Sequence, residues 1–244
     1  MKTNPLLQRF HYPDKPKYEI CIDEAGRGCL YGKVFIACVV LPRNENDFPG
    51  ENIKDSKKFS SKKKLKDVAD TIKKHADFWH IVSMDEKVID QINILKAVMR
   101  GMHDCIRITI EHYRTKDPTI AYSDFCLLID GNYFTPYCHF DKYEERLVPI
   151  EGYTFEKGDG RYMGIASAGI LAKTARDEDV LADCSKYPLL VTRYKLDTNF
   201  GYGTKAHLEG LRENGLSPWH RTTYGLCKTL ELNWSDSEEQ KVVN

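Results

Sequence analysis

The sequence lacks an excess of charge of either sign, a long apolar run and any closely spaced cysteine pair. Its 36 Lys and Arg residues balance 36 Asp and Glu residues, so net charge does not indicate nucleic-acid binding, and a nucleic-acid surface would have to be a local patch. No stretch approaches the roughly 18 apolar residues of a membrane span. The polar N-terminus also lacks the apolar core of a signal peptide. These absences predict a soluble intracellular protein.

Cysteine and histidine are present but are not arranged for zinc. None of the eight cysteines forms a C-x-x-C pair, the spacing that many structural zinc sites use. Most of them lie among apolar residues, so we expect small buried thiols in a reducing, cytoplasmic compartment. The eight histidines are dispersed, and their sequence context predicts mostly surface positions.

Strand-like and helix-like segments follow one another along most of the 244 residues. Strands are predicted at residues 18–23, 33–41, 78–83, 125–129 and 147–149, of which 33–41 is a nearly continuous apolar run typical of a buried central strand. Helices are predicted from a cap at Ser60 or Ser61 to residue 76, from 85 to about 114, from 163 to about 183, and at 204–214. Helices that alternate with strands indicate an α/β fold.

Acidic residues follow two of the predicted strands. Asp23 and Glu24 come just before a glycine-rich turn, and Asp130 follows the apolar run at 125–129. The carboxyl ends of strands are where open α/β sheets build their sites. Each acid taken alone is more simply explained as an ordinary turn residue. For Asp23 and Glu24 to share one site, the strand has to end there, because neighbouring residues of a strand point to opposite faces.

Asp177 lies on a predicted helix instead of at a strand end. It falls on one helical stripe with Ala166, Ile170 and Lys173, and small residues upstream would let this helix approach a sheet closely. A carboxylate on an inward stripe needs a partner. That partner is either a metal ion or an ion pair with Lys173 or Arg176, and the sequence leaves both open.

Taken together, the carboxylates predict one metal site. Mg²⁺ and Mn²⁺ prefer oxygen ligands. Two such ions held by several carboxylates stabilise the attacking and leaving oxygens of phosphodiester hydrolysis. The sequence therefore predicts a metal-dependent nuclease whose metal-binding and catalytic residues are Asp23, Glu24, Asp130 and Asp177.

Positive charge is concentrated in a lysine-rich stretch at residues 54–66, which includes Lys57. Such a patch can neutralise phosphates, although a lysine run is more often a solvated helix face. A second candidate is the Gly-Tyr-Gly-Thr-Lys segment at 201–205. There the N-terminus of a predicted helix favours an anion, and the Tyr202 ring could pack on a sugar or base.

Six segments of the chain resemble type 2 ribonuclease H, the ribonuclease HII family, and they occur in the family's order over about residues 18–224. They are IDEAGRGCLYG, KDSKKFS, IDQINILKAVMRGM, LLIDGN, KGDGRYMGIASAGILAKTARDE and GYGTKAHLEGLRENGLSPWHR. The resemblance implies a ribonuclease H-like α/β fold, with a mixed sheet flanked by helices and a small helical C-terminal region.

The same resemblance implies an activity and the residues that carry it. The activity is endonucleolytic hydrolysis of RNA in RNA–DNA hybrids and of the bond 5′ to ribonucleotides embedded in duplex DNA. Cleavage leaves 3′-hydroxyl and 5′-phosphate ends and serves ribonucleotide and primer removal in DNA replication and repair. Two divalent ions, Mg²⁺ or Mn²⁺, are implied on the four carboxylates. The implied substrate-binding residues are Gly26, Arg27 and Gly28 at the ribose 2′-hydroxyl, Lys57 at a phosphate and Tyr202 at the junction.

The residues and the resemblance together predict a domain arrangement and partners. Residues 1–17 are expected to form an N-terminal arm, 18–200 the catalytic domain, and 201–234 a helical C-terminal region packed on it. The polar, acidic residues 235–244 are expected to be disordered. The expected partners are RNA–DNA hybrids or ribonucleotide-containing DNA, with no membrane, and the protein is expected to be a monomer.

Several positions depart from the family pattern, though none of them is a predicted ligand. They are Tyr31, Gly32 and Lys33, where a small residue and then proline are common, Gly164 and Gly169, where serine is common, and Tyr224, where phenylalanine is commoner.

Three other functions are alternatives to nicking at embedded ribonucleotides. A ribonuclease H of type 1 specificity would need a run of ribonucleotides, so duplexes with one and with four ribonucleotides separate it from the first hypothesis. A nucleic-acid-binding relative would keep the fold without catalysis, and the four intact carboxylates argue against it. A type 3 relative would carry an extra N-terminal domain, and the roughly 17 residues before the first strand disfavour it.

Overall fold

The computed structural model describes residues 7–15, 17–143 and 145–235. Its strands are β1 (Tyr18–Ala25), β2 (Val34–Val40), β3 (Phe78–Met84), β4 (Phe125–Asp130), β5 (Cys138–Asp141), β6 (Arg146–Pro149) and β7 (Gly152–Phe155). Its α-helices are α1 (Lys62–His75), α2 (Glu86–Ile92), α3 (Ile94–Lys116), α4 (Met163–Lys186), α5 (Leu189–Tyr194), α6 (Leu196–Asn199) and α7 (Lys205–Asn214). Part of the predicted N-terminal arm and the predicted tail beyond Ser235 lie outside the described residues.

β1 lies at the centre of a five-stranded mixed sheet with strand order β3-β2-β1-β4-β7. It pairs antiparallel with β2 and parallel with β4, which in turn pairs parallel with β7. β2 is buried along its whole length, as its apolar run predicted. β5 and β6 form a separate two-stranded antiparallel sheet. The predicted mixed α/β sheet is confirmed.

Glycines let helices approach both faces of this sheet. A Cβ on Gly164 of α4 would lie 2.3 Å from the Sγ of Cys21 on β1. On the other face, a Cβ on Gly101 of α3 would lie 2.6 Å from Cδ1 of Ile36 on β2. Because these distances are shorter than any ordinary carbon contact, a larger residue at either position would push helix and sheet apart.

The helix predicted from residue 85 to about 114 is two helices, so the prediction of one continuous helix was wrong. Asn93 separates α2 from α3 with a positive φ of 68°, which asparagine adopts more readily than most non-glycine residues. Its Oδ1 accepts a hydrogen bond from the Lys96 amide, so the side chain caps the second helix. Apolar spacing alone does not reveal such a break.

The described residues form two compact units. The first draws them from Met1–Ala25, Phe35–Val82 and Met99–Thr174, and the second from Gly26–Val34, Ser83–Val98 and Ala175–Asn244. Most of the five-stranded sheet belongs to the first unit. The second unit has a core of its own, which includes Tyr194 and Leu211. The predicted domain boundaries after residues 17, 200 and 234 stay a prediction.

Apolar and thiol side chains behave as the composition predicted. Seven of the eight cysteines are buried and Cys138 is exposed, which confirms the prediction of mostly buried thiols. Among the described helices, none is both long enough and apolar enough to span a membrane.

Candidate active site

Asp23 and Asp130 occupy matching positions on neighbouring strands of the first unit. In the parallel pair β1 and β4, Ile22 is the partner of Ile129, so the two aspartates that follow stand side by side. Matching residues of parallel strands point to the same face, and neighbouring strands are about 4.8 Å apart. The sheet therefore brings two of the predicted ligands together at the carboxyl ends of β1 and β4.

Asp23 is a buried carboxylate beneath α4. The residue is only 8% exposed, and a Cβ on Gly169 would lie 2.3 Å from its Oδ2. The glycine at 169, one of the departures from the family pattern, thus leaves the space that the carboxyl group occupies. Burial, together with the negative charges of Asp130 and Glu24, raises the pKa of Asp23 well above its ordinary value.

Glu24 lies inside strand β1, although the sequence predicted that the strand has to end at Asp23 and Glu24 for both to share one site. β1 continues through Ala25. Alternation along the strand places Glu24 on the face of its partner Ile36, which α3 covers. The charge of Glu24 nevertheless acts on Asp23, since it contributes to the raised pKa of that residue.

A further carboxylate of the first unit, Asp159, was not predicted. It lies in the turn after β7, where the amides of Gly158 and Asp159 donate hydrogen bonds to Asp130 Oδ1 at 2.7 and 3.4 Å. The charge of Asp159 also raises the pKa of Asp23. Sequence reasoning missed it because β7 has only four residues, two of them exposed. The signal that could have found it is the Gly-Asp-Gly motif after a strand, which resembles the Asp-Gly-Asn that pointed to Asp130.

Asp55 and Lys57 add to this group of charges. Asp55 accepts a hydrogen bond from the Lys57 amide at 2.9 Å and so caps the short turn Ser56–Lys58. Burial and the charges of Asp130 and Asp55 raise the pKa of Asp159, which also shares a side-chain hydrogen bond with Asp55. The Lys57 ammonium acts in the opposite direction on both Asp130 and Asp159. The lysine predicted to bind phosphate therefore lies near the carboxylates.

This donor set fits a hard divalent cation. Asp23, Asp130 and Asp159 offer oxygen ligands, which Mg²⁺ and Mn²⁺ prefer. Burial disfavours their charged forms, and a bound cation reverses that preference. Within the part of the chain that the structure describes, no three His, Cys, Asp or Glu side chains lie close enough together to hold an ion already.

The glycine-rich turn after β1 belongs to the second unit. Gly26 has a φ of 96°, which favours glycine, and a Cβ there would lie 2.4 Å from Nε of the buried Arg176. Arg27 and Gly28 are exposed. The turn thus packs tightly on one side, while its exposed backbone is open to close approach by a ligand.

Asp177 lies beside Arg176 in the second unit. Arg176 is completely buried, its Nη2 donates to the carbonyl of Phe200, and its Nη1 is 3.6 Å from Asp177 Oδ1. A buried guanidinium without a counter-charge is strongly unfavourable. Asp177 therefore forms one of the two ion pairs that the sequence left open. Its assignment as a metal ligand stays a prediction.

Tyr202 is supported by a chain of hydrogen bonds between buried side chains of the second unit. The residue is 41% exposed, and its ring centre lies 5.4 Å from the guanidinium carbon of Arg176. His207 Nδ1 pairs with the Tyr202 carbonyl at 2.9 Å, and the Nε2 atoms of His207 and His220 are 3.0 Å apart. Both histidines are buried, and burial lowers the pKa of His220 to about 3. The prediction of mostly surface histidines is therefore wrong for this pair, because each satisfies the other.

The departures at Tyr31 and Lys33 have partners on the part of α4 that belongs to the second unit. The Tyr31 hydroxyl donates to Asp183 at 3.0 Å, and the Lys33 ammonium lies 2.6 Å from an Asp179 oxygen. A small residue and a proline could make neither contact. Two departures from the family pattern therefore hold the segment after the glycine-rich turn against α4.

The sequence is similar to known ribonucleases. The family model described as Ribonuclease HII matches residues 20–227. The Ribonuclease HII of Parabacteroides distasonis is 40% identical over 218 residues, which cover 88% of this chain and 94% of that protein.

The fold is similar to solved structures at lower sequence identity. The structure of the PCNA:RNase HII complex from Archaeoglobus fulgidus matches with a TM-score of 0.61 and 21% identity, over 86% of this chain and 96% of that chain. The crystal structure of Bst-RNase HIII in complex with Mn²⁺ matches with a TM-score of 0.56 and 15% identity, over 82% of this chain and 70% of that chain. These likenesses concern the fold alone, and they confirm the predicted ribonuclease H-like architecture.

Proposed function

This chain belongs to the ribonuclease HII family and is a ribonuclease H, and from that premise we propose a finer specificity. It nicks duplex DNA on the 5′ side of embedded ribonucleotides and also cleaves the RNA strand of RNA–DNA hybrids, leaving 3′-hydroxyl and 5′-phosphate ends. The observation that carries the proposal is the matching position of Asp23 and Asp130 on β1 and β4. A sheet with two carboxylates side by side offers an anchor for cations at a phosphodiester.

Asp23 and Asp130 are the proposed ligands of two divalent ions, Mg²⁺ or Mn²⁺, on which the family depends. Glu24 is proposed as a ligand with them on the motif resemblance and on the action of its charge on Asp23, although strand alternation points its side chain to the other face. The chemistry that such ions supply when bound is stabilisation of negative charge on the attacking and leaving oxygens. For the fourth ligand there are two candidates. The motif resemblance favours Asp177, whereas the contacts of the first unit favour Asp159, whose charge acts on Asp23 and whose amide donates to Asp130.

Recognition of the ribonucleotide is assigned to backbone and aromatic groups. Only the 2′-hydroxyl distinguishes RNA from DNA at a single residue. The turn at Gly26, Arg27 and Gly28, of which Arg27 and Gly28 are exposed, would bind that hydroxyl, because glycines allow the backbone to approach it closely. Tyr202 would pack on the deoxyribose of the following nucleotide, where an extra hydroxyl would be crowded. Lys57 would bind a phosphate.

The proposal is tested on three duplexes, which carry no ribonucleotide, one ribonucleotide and four ribonucleotides. With Mg²⁺ or Mn²⁺ we expect a nick 5′ to the single ribonucleotide, no cleavage of the all-DNA duplex, and no cleavage of any duplex in EDTA. Cleavage confined to the four-ribonucleotide duplex would instead indicate type 1 specificity. Binding of all three duplexes without metal-dependent cleavage would indicate a relative that has lost catalysis.

The substitution Tyr202→Ala is expected to lower kcat/KM on the one-ribonucleotide duplex by about tenfold or more, since an aromatic ring on a nucleotide contributes on the order of 1–3 kcal/mol. The loss should be smaller on four consecutive ribonucleotides, where the step from ribose to deoxyribose matters less. Tyr143→Ala is the matched control, because Tyr143 is fully exposed in the first unit. Equal kcat/KM of wild type and Tyr202→Ala on the one-ribonucleotide duplex would remove Tyr202 from the junction.

A further inference from the structure

The carbonyl of Arg27, in the middle of the glycine-rich turn, accepts two hydrogen bonds from one loop of the second unit. Arg221 Nη1 and the Tyr224 hydroxyl both donate to it at 3.1 Å. Arg221 is completely buried and also donates from Nε to the Gly32 carbonyl at 2.8 Å. One loop therefore fixes the turn and the segment that follows it.

This loop is itself held firmly. Asp90 on α2 accepts hydrogen bonds from the amides and hydroxyls of Thr222 and Thr223, at distances of 2.5 to 3.1 Å. The Arg221 amide donates to the Leu30 carbonyl at 2.8 Å. Thr222 and Thr223, the two residues between Arg221 and Tyr224, are therefore both anchored, and the backbone that carries the Tyr224 side chain is held in place.

Fixing the Arg27 carbonyl also fixes the direction of a donor. The peptide between Arg27 and Gly28 is planar and trans, so the Gly28 N–H points the opposite way from the Arg27 carbonyl. Gly28 is exposed, and a Cβ added to it would meet nothing within 4 Å. A ligand can therefore reach this amide. Without a second hydrogen bond on the carbonyl, this peptide would be freer to rotate, because Gly28 on one side of it has no Cβ to restrict the backbone.

We propose that the Tyr224 hydroxyl is a positioning group that aims the Gly28 amide at the ribose 2′-hydroxyl and thereby increases selectivity for a single ribonucleotide. This inference rests on the proposed function of the turn. The Tyr224 ring is half-buried and lies 5.2 Å from the Arg221 guanidinium carbon, so the ring fills its position with or without the hydroxyl. The hydroxyl is also what distinguishes this chain from the phenylalanine commoner in the family pattern.

The test is Tyr224→Phe, which removes one hydroxyl and keeps the ring. We expect kcat/KM on the one-ribonucleotide duplex to fall about threefold, the scale of one partly solvated hydrogen bond, with little change on the four-ribonucleotide duplex. Tyr194→Phe is the matched control, because the Tyr194 hydroxyl donates to the Gly215 carbonyl at the same 3.1 Å in the same unit. We expect Tyr194→Phe to lose at least as much thermal stability, because its ring is completely buried, and Tyr224→Phe alone to lose selectivity.

A second variant removes the hydrogen bonds that Asp90 makes to the loop. Asp90→Ala removes all four threonine hydrogen bonds and should shift selectivity in the same direction by more than Tyr224→Phe, whereas Asp90→Asn keeps one acceptor oxygen and should restore part of it. An unchanged selectivity ratio in Tyr224→Phe overturns the inference, whatever stability that variant loses. Wild-type protein measured on the same duplexes separates the two proposals, since failure to cut the one-ribonucleotide duplex contradicts the proposed function itself.

Discussion

Replacing Asp130 with asparagine is expected to lower metal-dependent cleavage by about 1,000-fold or more and to leave the fold intact. Asparagine keeps an oxygen where Asp130 Oδ1 accepts the Gly158 amide, so the turn after β7 retains its anchor. The substitution removes a negative charge that burial already disfavours. In metal-free buffer the midpoint of thermal unfolding should therefore be unchanged or higher.

The measurement is the single-turnover rate on the one-ribonucleotide duplex over a range of Mg²⁺ and Mn²⁺ concentrations. Asp70→Asn serves as the matched control, because Asp70 is exposed on α1 of the same unit, and it should keep the wild-type rate. Binding of the duplex by Asp130→Asn should persist, since the proposed substrate contacts at Lys57, the glycine-rich turn and Tyr202 remain. Undiminished cleavage would remove Asp130 from the site, and a joint loss of rate and unfolding temperature would make its role structural.

Asp23 and Asp130 could be predicted from the sequence because each follows a strand that is easy to recognise. Their apolar runs are long and buried, and the parallel register then brings the two aspartates together. Asp159 had no such signal, because β7 is too short and too exposed to show a strand pattern. A carboxylate after a short edge strand is visible only once the register with β4 is known.

The contacts of the second unit were beyond sequence reasoning for a different reason. Asp90 and Thr222 are 132 residues apart in sequence, and Arg27 and Arg221 are 194 apart. Nothing in the local pattern of either segment identifies the other. The buried histidine pair illustrates the same limit, since a polar sequence context predicts exposure unless the partner that satisfies each ring nitrogen is known.

The family resemblance identified the motifs but could not rank every acid within them. The resembling segment at residues 157–178 contributes two aspartates, Asp159 before α4 and Asp177 within it. Asp177 forms an ion pair with Arg176. Asp159 instead lies among carboxylates whose pKa values are raised by burial and by one another's charge. Mutual repulsion between acids is destabilising unless a cation relieves it, so it points to a ligand set more directly than an ion pair does.

Asparagine at position 159 is expected to reduce mainly the cleavage activity, and asparagine at position 177 mainly the stability of the fold. Asp159→Asn should lower cleavage by about 100-fold or more without loss of stability, because it removes a carboxylate whose charge burial disfavours. Asp177→Asn should lower the free energy of unfolding by about 2 kcal/mol, since it strips a counter-charge from a buried guanidinium. Its effect on cleavage should stay below about tenfold.

Two measurements on each variant separate the candidates: single-turnover cleavage, and Mn²⁺ binding by calorimetry, which does not depend on turnover. Asp159→Asn should weaken Mn²⁺ binding at an unchanged unfolding temperature, and Asp177→Asn should unfold earlier while binding Mn²⁺ as the wild type does. The reverse pattern would establish Asp177 as the fourth ligand and reduce Asp159 to a neighbour of the site. Loss of Mn²⁺ binding in both variants, at wild-type stability, would mean that the ions draw on five carboxylates, because Asp23, Glu24 and Asp130 would then act with both acids.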